Sequence, residues 1–133
     1  MNSRQALNAY SRVGVQSGVT DASPHQLISM LMTGAQDRIA EARGAMERQE
    51  RARQGELLGK AISIIDNLRA SLDHDRGGDV ARTLSDLYDY MQRRLLEANA
   101  SSEPDLLAEV QGLLATVREG WEGIPAEQRR PAG

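Results

Sequence analysis

The sequence predicts an all-α protein: an antiparallel up-and-down four-helix bundle, preceded by an N-terminal arm or short helix. Three observations carry that expectation. Apolar residues recur at helical spacing in four segments, about 24–47, 55–72, 79–99 and 103–121. Capping and turn residues separate those segments. Aromatic residues make up only 3 % of the chain and Phe is absent, so the core is left to Leu, Ile, Val, Ala and Met, which suits helix packing better than a β-sandwich. Residues 23–122 then form the bundle, 1–22 the arm, and 123–133 a tail with no apolar pattern that is expected to be disordered.

The plainest pair of helices lies between Lys60 and Asn99. On its first arm Leu58, Ala61, Ile62, Ile65, Leu68 and Leu72 fall on one stripe, flanked by Leu57 and Ile64. On its second, Val80, Leu84, Leu87, Tyr88, Met91, Leu95 and Ala98 do the same. Between them Asp73-His74-Asp75-Arg76-Gly77-Gly78 reads as a turn, because paired glycines tolerate positive φ. So short a connection makes the two helices antiparallel neighbours.

Helix one has a strong start. Ser23 can cap it, Pro24 suits the first helical position, and Gln26 completes a capping box with Ser23. Its apolar set runs from Leu27 to Met46 over an arc broad enough to touch two partners. The stretch Glu47–Gln54 has no apolar period and is either a loop or a solvated helical continuation. Helix three is expected to start near Asp79 and end near Asn99. Ser101-Ser102-Glu103-Pro104-Asp105 then reads as a stop followed by a capped start. Helix four places Leu106, Leu107, Val110, Leu113, Leu114, Val117 and Trp121 on one face. In the arm, Leu7, Tyr10 and Val13 are isolated apolar residues interrupted by Gly14 and Gly18.

Composition excludes several functions. There is no cysteine, which removes disulfides and thiolate metal sites. A net charge of −3 with both signs interspersed gives no electrostatic case for nucleic acid or for an acidic membrane. No apolar run approaches the roughly 20 residues needed to span a bilayer, and no signal-peptide core follows Met1, so the expected location is the cytosol. His74 between Asp73 and Asp75 is better read as a polar turn than as a metal or acid–base cluster, since His25 is the only other histidine. Asp86 and Asp89 fall on a polar flank. Arg43, Arg48, Arg51 and Arg53 alternate with Glu41, Glu47, Glu50 and Glu56, a solvated and salt-bridged face. No phosphate loop or nucleophile elbow is present, and no cofactor or catalytic residue is expected. What remains is apolar surface: Met30, Met32, Leu57, Ile64, Tyr90 and Leu96 lie outside the narrowest core arcs and are candidates for a groove that takes an amphipathic partner.

The order Tyr10, Thr20-Asp21-Ala22-Ser23-Pro24-His25-Gln26-Leu27-Ile28, Leu31, Gly34-Ala35 resembles the front half of the flagellar secretion chaperone FliS family. So do Lys60-Ala61, Ile64-Ile65, Leu68, Leu72-Asp73, Gly77-Gly78, Ala81, Leu84, Leu87-Tyr88, Tyr90-Met91, Leu95 and Ala98-Asn99. One departure is Met32-Thr33, where the family usually has Tyr-Asp, so a hydroxyl is lost at 32. The resemblance implies a bacterial cytosolic chaperone that uses no ATP. It would bind the C-terminal segment of newly made flagellin over apolar grooves, prevent premature polymerisation, and help deliver flagellin to the export gate, the cytosolic domain of FlhA.

For that groove the expected residues are Leu27, Leu31 and Met32 of helix one, Leu57 and Ile64 of helix two, and Leu87, Tyr88 and Met91 of helix three. Leu7, Tyr10 and Val13 of the arm are expected to cover it when flagellin is absent. The protein is expected to be a monomer or a weak homodimer. The rival readings are a self-associating helical-bundle adaptor and, behind it, an enzyme or metal protein built on His74.

Overall fold

The computed structural model describes residues 22–125 and Gln128. The residues of the arm, Leu7, Tyr10 and Val13, lie outside the described residues. Helix α1 spans Pro24–Glu47 and starts as its sequence dictates. Ser23 Oγ accepts the Gln26 N–H at 3.1 Å, and Gln26 Oε1 accepts the Ser23 N–H at 2.8 Å. Two N-terminal donors are thereby satisfied reciprocally, and Pro24 offers none that needs a partner. A tight turn through Arg48, Gln49 (φ 60°) and Glu50 leads to α2, Arg51–Ala70. The second helix therefore begins at Arg51 rather than near 55, and the charged stretch is shared between the turn and the first turn of α2.

Helix α3 spans His74–Ser101 and is broken once. Asp73 caps it by accepting the Arg76 N–H at 3.1 Å, and one helical turn follows. At Gly78 the backbone leaves the helix (φ 50°, ψ −122°), a conformation that glycine adopts without the clash a side chain would meet. Gly77 is required for a different reason: a Cβ there would lie 2.8 Å from the Ala81 Cβ. Asp79 therefore opens the long segment of α3 but not the helix. Val80, expected on the inner stripe, is 67 % exposed, because Ala81 takes the inward position beside Gly77.

Helix α4 spans Pro104–Glu122, with Pro104 in its first turn. The two serines before it serve α3 rather than α4. Ser101 Oγ donates back to Glu97 O at 2.8 Å, and Ser102 is left-handed (φ 52°, ψ 49°) and ends α3. Glu103, without a side-chain cap bond, stands at the α4 N-terminus.

Consecutive helices are joined by short turns, and α1 closes the ring against α4, which gives the four-helix bundle. The α1–α2 pair has the most extensive interface. Gly34, Ala35, Ala42 and Ala45 of α1 and Ala61 of α2 are all buried, and small side chains let the two backbones approach closely. Leu31, Ile39, Leu58, Ile65, Leu68, Met91, Leu95, Leu107 and Leu114 fill the centre. Among the described residues no helix is long and apolar enough to cross a membrane.

Candidate partner-binding surface

Seven of the eight expected groove residues in the described part of the chain are interior. Leu27, Leu31, Met32, Leu57, Ile64, Tyr88 and Met91 are all buried in one cluster, and Leu87 is partly exposed at its edge. The two α2 flanks, Leu57 and Ile64, are drawn inside because α1 covers α2 over a wide arc. Of the other spare apolar residues, Met30 and Tyr90 are half-buried and Leu96 is 59 % exposed. At the departure from the family pattern, Met32 fills core space and the Thr33 hydroxyl donates to Ser29 O of its own helix at 3.1 Å.

Above Leu57 an open depression is lined by Ala40, Glu41, Gly44, Arg48 and Arg53. Its cations are engaged: Arg48 Nε lies 2.9 Å from Glu50 Oε1, and Arg53 Nη1 lies 2.6 Å from Glu56 Oε1. Arg43 pairs with Glu47 at 3.6 Å, so this face is the solvated, paired surface that its alternating charges imply.

Polar side chains tie the seams between helices. On the α3–α4 seam Tyr90 OH donates to Glu109 Oε2 at 2.6 Å, and Arg94 Nε donates to Glu109 Oε1 at 2.8 Å. The Tyr90 hydrogen bond, followed by that of Arg94, holds the Glu109 carboxyl below the usual carboxylate range. The same bond to Glu109, with desolvation behind it, raises the Tyr90 phenol. On the α2–α3 seam Arg69 reaches Ser85 Oγ at 3.1 Å and Asp89 at 3.5 Å, and Gln92 Nε2 donates to Ile62 O at 3.1 Å. Asp89 also pairs with Arg93 at 3.0 Å, which uses it structurally.

Sequence reasoning missed the pairing of His25 with Trp121. Their rings stack with centroids 4.5 Å apart and planes 8° from parallel. Trp121 Nε1 donates to His25 O at 3.0 Å, and His25 Nε2 lies 2.8 Å from Trp121 O. A capping box that places His25 in the first turn of α1 is a local signal; its partner, 96 residues away, has none. His74 is exposed at the start of α3, and among the described residues no group of three or more His, Cys, Asp or Glu is placed to hold a metal.

The family model for flagellar protein FliS matches residues 6–128. The chain is 49 % identical over 124 residues to the flagellar secretion chaperone FliSB of Pseudomonas aeruginosa, covering 93 % of this chain and 98 % of that one. It is 47 % identical over 125 residues to the flagellar secretion chaperone FliS of Salmonella typhimurium, covering 93 % of each. The FliS of Bacillus subtilis is 34 % identical over 115 residues, covering 86 % of this chain and 85 % of that relative. The resemblance read along the chain from Tyr10 to Asn99 is thus borne out. The chain belongs to the FliS family, a family of chaperones and not of enzymes.

Proposed function

We propose that the protein is a bacterial cytosolic export chaperone for flagellin. It binds the disordered C-terminal segment of flagellin, prevents its premature polymerisation, and aids delivery to the flagellar type III export apparatus. The cytosolic domain of the export gate protein FlhA is its proposed second partner. The observation that carries this reading is the match to relatives named flagellar secretion chaperones across nearly the whole chain. The physics agrees with it. A disordered segment with an apolar face assembles with its neighbours unless another apolar surface competes, and ordering it consumes about 2–5 kcal/mol or more of the gross interaction energy. An extended apolar interface is needed to offset that loss.

The proposed binding residues are Leu27, Leu31, Met32, Leu57, Ile64, Leu87, Tyr88 and Met91, with Leu7, Tyr10 and Val13 of the arm as the cover. Since all but Leu87 of the first group are interior, the client gains them only by displacing whatever overlies them. The experiment is seeded polymerisation of purified flagellin. An equimolar amount of the protein suppresses filament growth in this reading, and Tyr10→Ala changes the concentration required. Growth unaffected by a molar excess of folded protein would remove the assignment.

A further inference from the structure

We propose that the last turns of α4, from Ala115 to Glu122, are a strap that opens from α1 as a unit beyond Leu114 and is closed by the His25–Trp121 clasp.

Helix α4 is uneven along its length. Its fully buried side chains, Leu106, Leu107, Val110 and Leu114, all lie in its first part. From Ala115 to Glu122 no residue is buried, and Val117 and Trp121 are half-covered. Among the described residues, this segment is held by Val117 and Trp121, partly buried against the core, and by polar contacts to α1. Arg118 Nη1 donates to Gln36 Oε1 at 2.9 Å, and the clasp closes the end. At the junction Gln111 Nε2 donates to Gln36 O at 2.9 Å, while Gln111 Oε1 is buried without a hydrogen-bond partner among the described residues. An unmade bond of that kind lowers the stability of the closed state relative to an open, hydrated one.

The helix itself is weakest in the same place. Gly112 and Gly120 sit inside α4, and a Cβ added at either would meet nothing within 4 Å. Neither glycine is required for packing, yet each disfavours the helix relative to Ala. A segment with little buried apolar area and low helix propensity opens locally before the fold does as a whole.

Opening would uncover a defined surface. His25 and Gln36 both contact α4, and on a helix the stripe joining them runs through Ile28 and Met32. Met32 is buried and Ile28 is partly so. The strap therefore gates an apolar stripe of α1, and only the purpose of that gate, access for the client, rests on the proposed function.

The test needs no client, so its failure is distinguishable from failure of the chaperone reading. Native-state hydrogen exchange on the full chain, over a series of low denaturant concentrations, resolves separate openings. Amides from Ala115 to Glu122 are expected to exchange through an opening with a smaller denaturant dependence than the α2 amides. His25→Ala is expected to speed that exchange about tenfold by removing the stack and one hydrogen bond. Gly120→Ala is expected to slow it about fivefold by raising helix propensity at a site with room for a methyl group. Because the chain has no cysteine, a single Met32→Cys substitution supplies a second readout, thiol labelling, whose rate should follow the strap in both variants. Exchange of these amides only together with those of α2, or a strap indifferent to Gly120→Ala, would overturn the proposal.

Discussion

Gln54, only 1 % exposed at the start of α2, donates its side-chain amide to Asn99 Oδ1 at 2.8 Å and to Asn99 O at 3.3 Å near the end of α3. A buried amide costs little when paired and much when orphaned, so removing one partner is worse than removing both. Asn99→Ala is expected to destabilise the protein by about 1–3 kcal/mol in urea unfolding. Adding Gln54→Leu to that variant should recover part of the loss. A double variant as unstable as the sum of the singles would show that the pair is not coupled.

Gly78 holds a backbone conformation that other residues adopt only with strain. Gly78→Ala is expected to lower stability by about 1 kcal/mol or more, although space for its methyl group is open. A midpoint of thermal unfolding unchanged from the parent would mean that the α2–α3 corner relaxes without penalty.

Tyr88 lies in the core, and burial pushes its phenol from 10.0 up to about 12. A raised folded-state value means that its contribution is complete below the unfolded pKa and is lost as pH rises through the folded one. Stability should therefore fall between about pH 10 and pH 12. A shift of this size corresponds to about 2–3 kcal/mol. Tyr88→Phe should flatten that alkaline limb in denaturant titrations at stepped pH, and an unaltered slope would assign the loss to other groups.

Glu109 behaves in the opposite sense. Its carboxyl is lowered, first by the Tyr90 hydroxyl and then by Arg94, so its contribution is present above the unfolded pKa and disappears as pH falls through the folded one. Carboxyl NMR titration should find Glu109 below the ordinary glutamate range. In Tyr90→Phe it should move upward, because the hydroxyl that favours the charged form is gone. A titration curve indifferent to that substitution would leave Arg94 as the main cause.

The features legible in the sequence were those with local causes. The Ser23–Gln26 capping box, the glycine pair that breaks α3 near its start and the apolar periods each follow from residues within a few positions of one another. The flanks were not legible. Leu57 and Ile64 look spare on a helical wheel, but the wheel does not say how widely α1 wraps α2, and that width is set by small residues on the other helix. The serine pair before Pro104 reads as a stop and a capped start, but only the stop is its role: the left-handed Ser102 closes the preceding helix, and Glu103 stands at the cap position of α4. The His25–Trp121 clasp, the Gln54–Asn99 pair and the Tyr90–Glu109 bond are long-range pairings, and a single sequence carries no signal that joins their members.

The most direct test of the central claim is titration calorimetry of the purified protein with the C-terminal segment of flagellin from the same organism, at several temperatures, beside a segment truncated at its end. One-to-one binding to the intact segment, weakened by truncation and accompanied by a large negative heat-capacity change, is the predicted result, because burial of apolar surface has that signature. No heat and no complex with the intact segment, from protein shown to be folded, would contradict the account and leave a helical bundle whose client is another component of flagellar export.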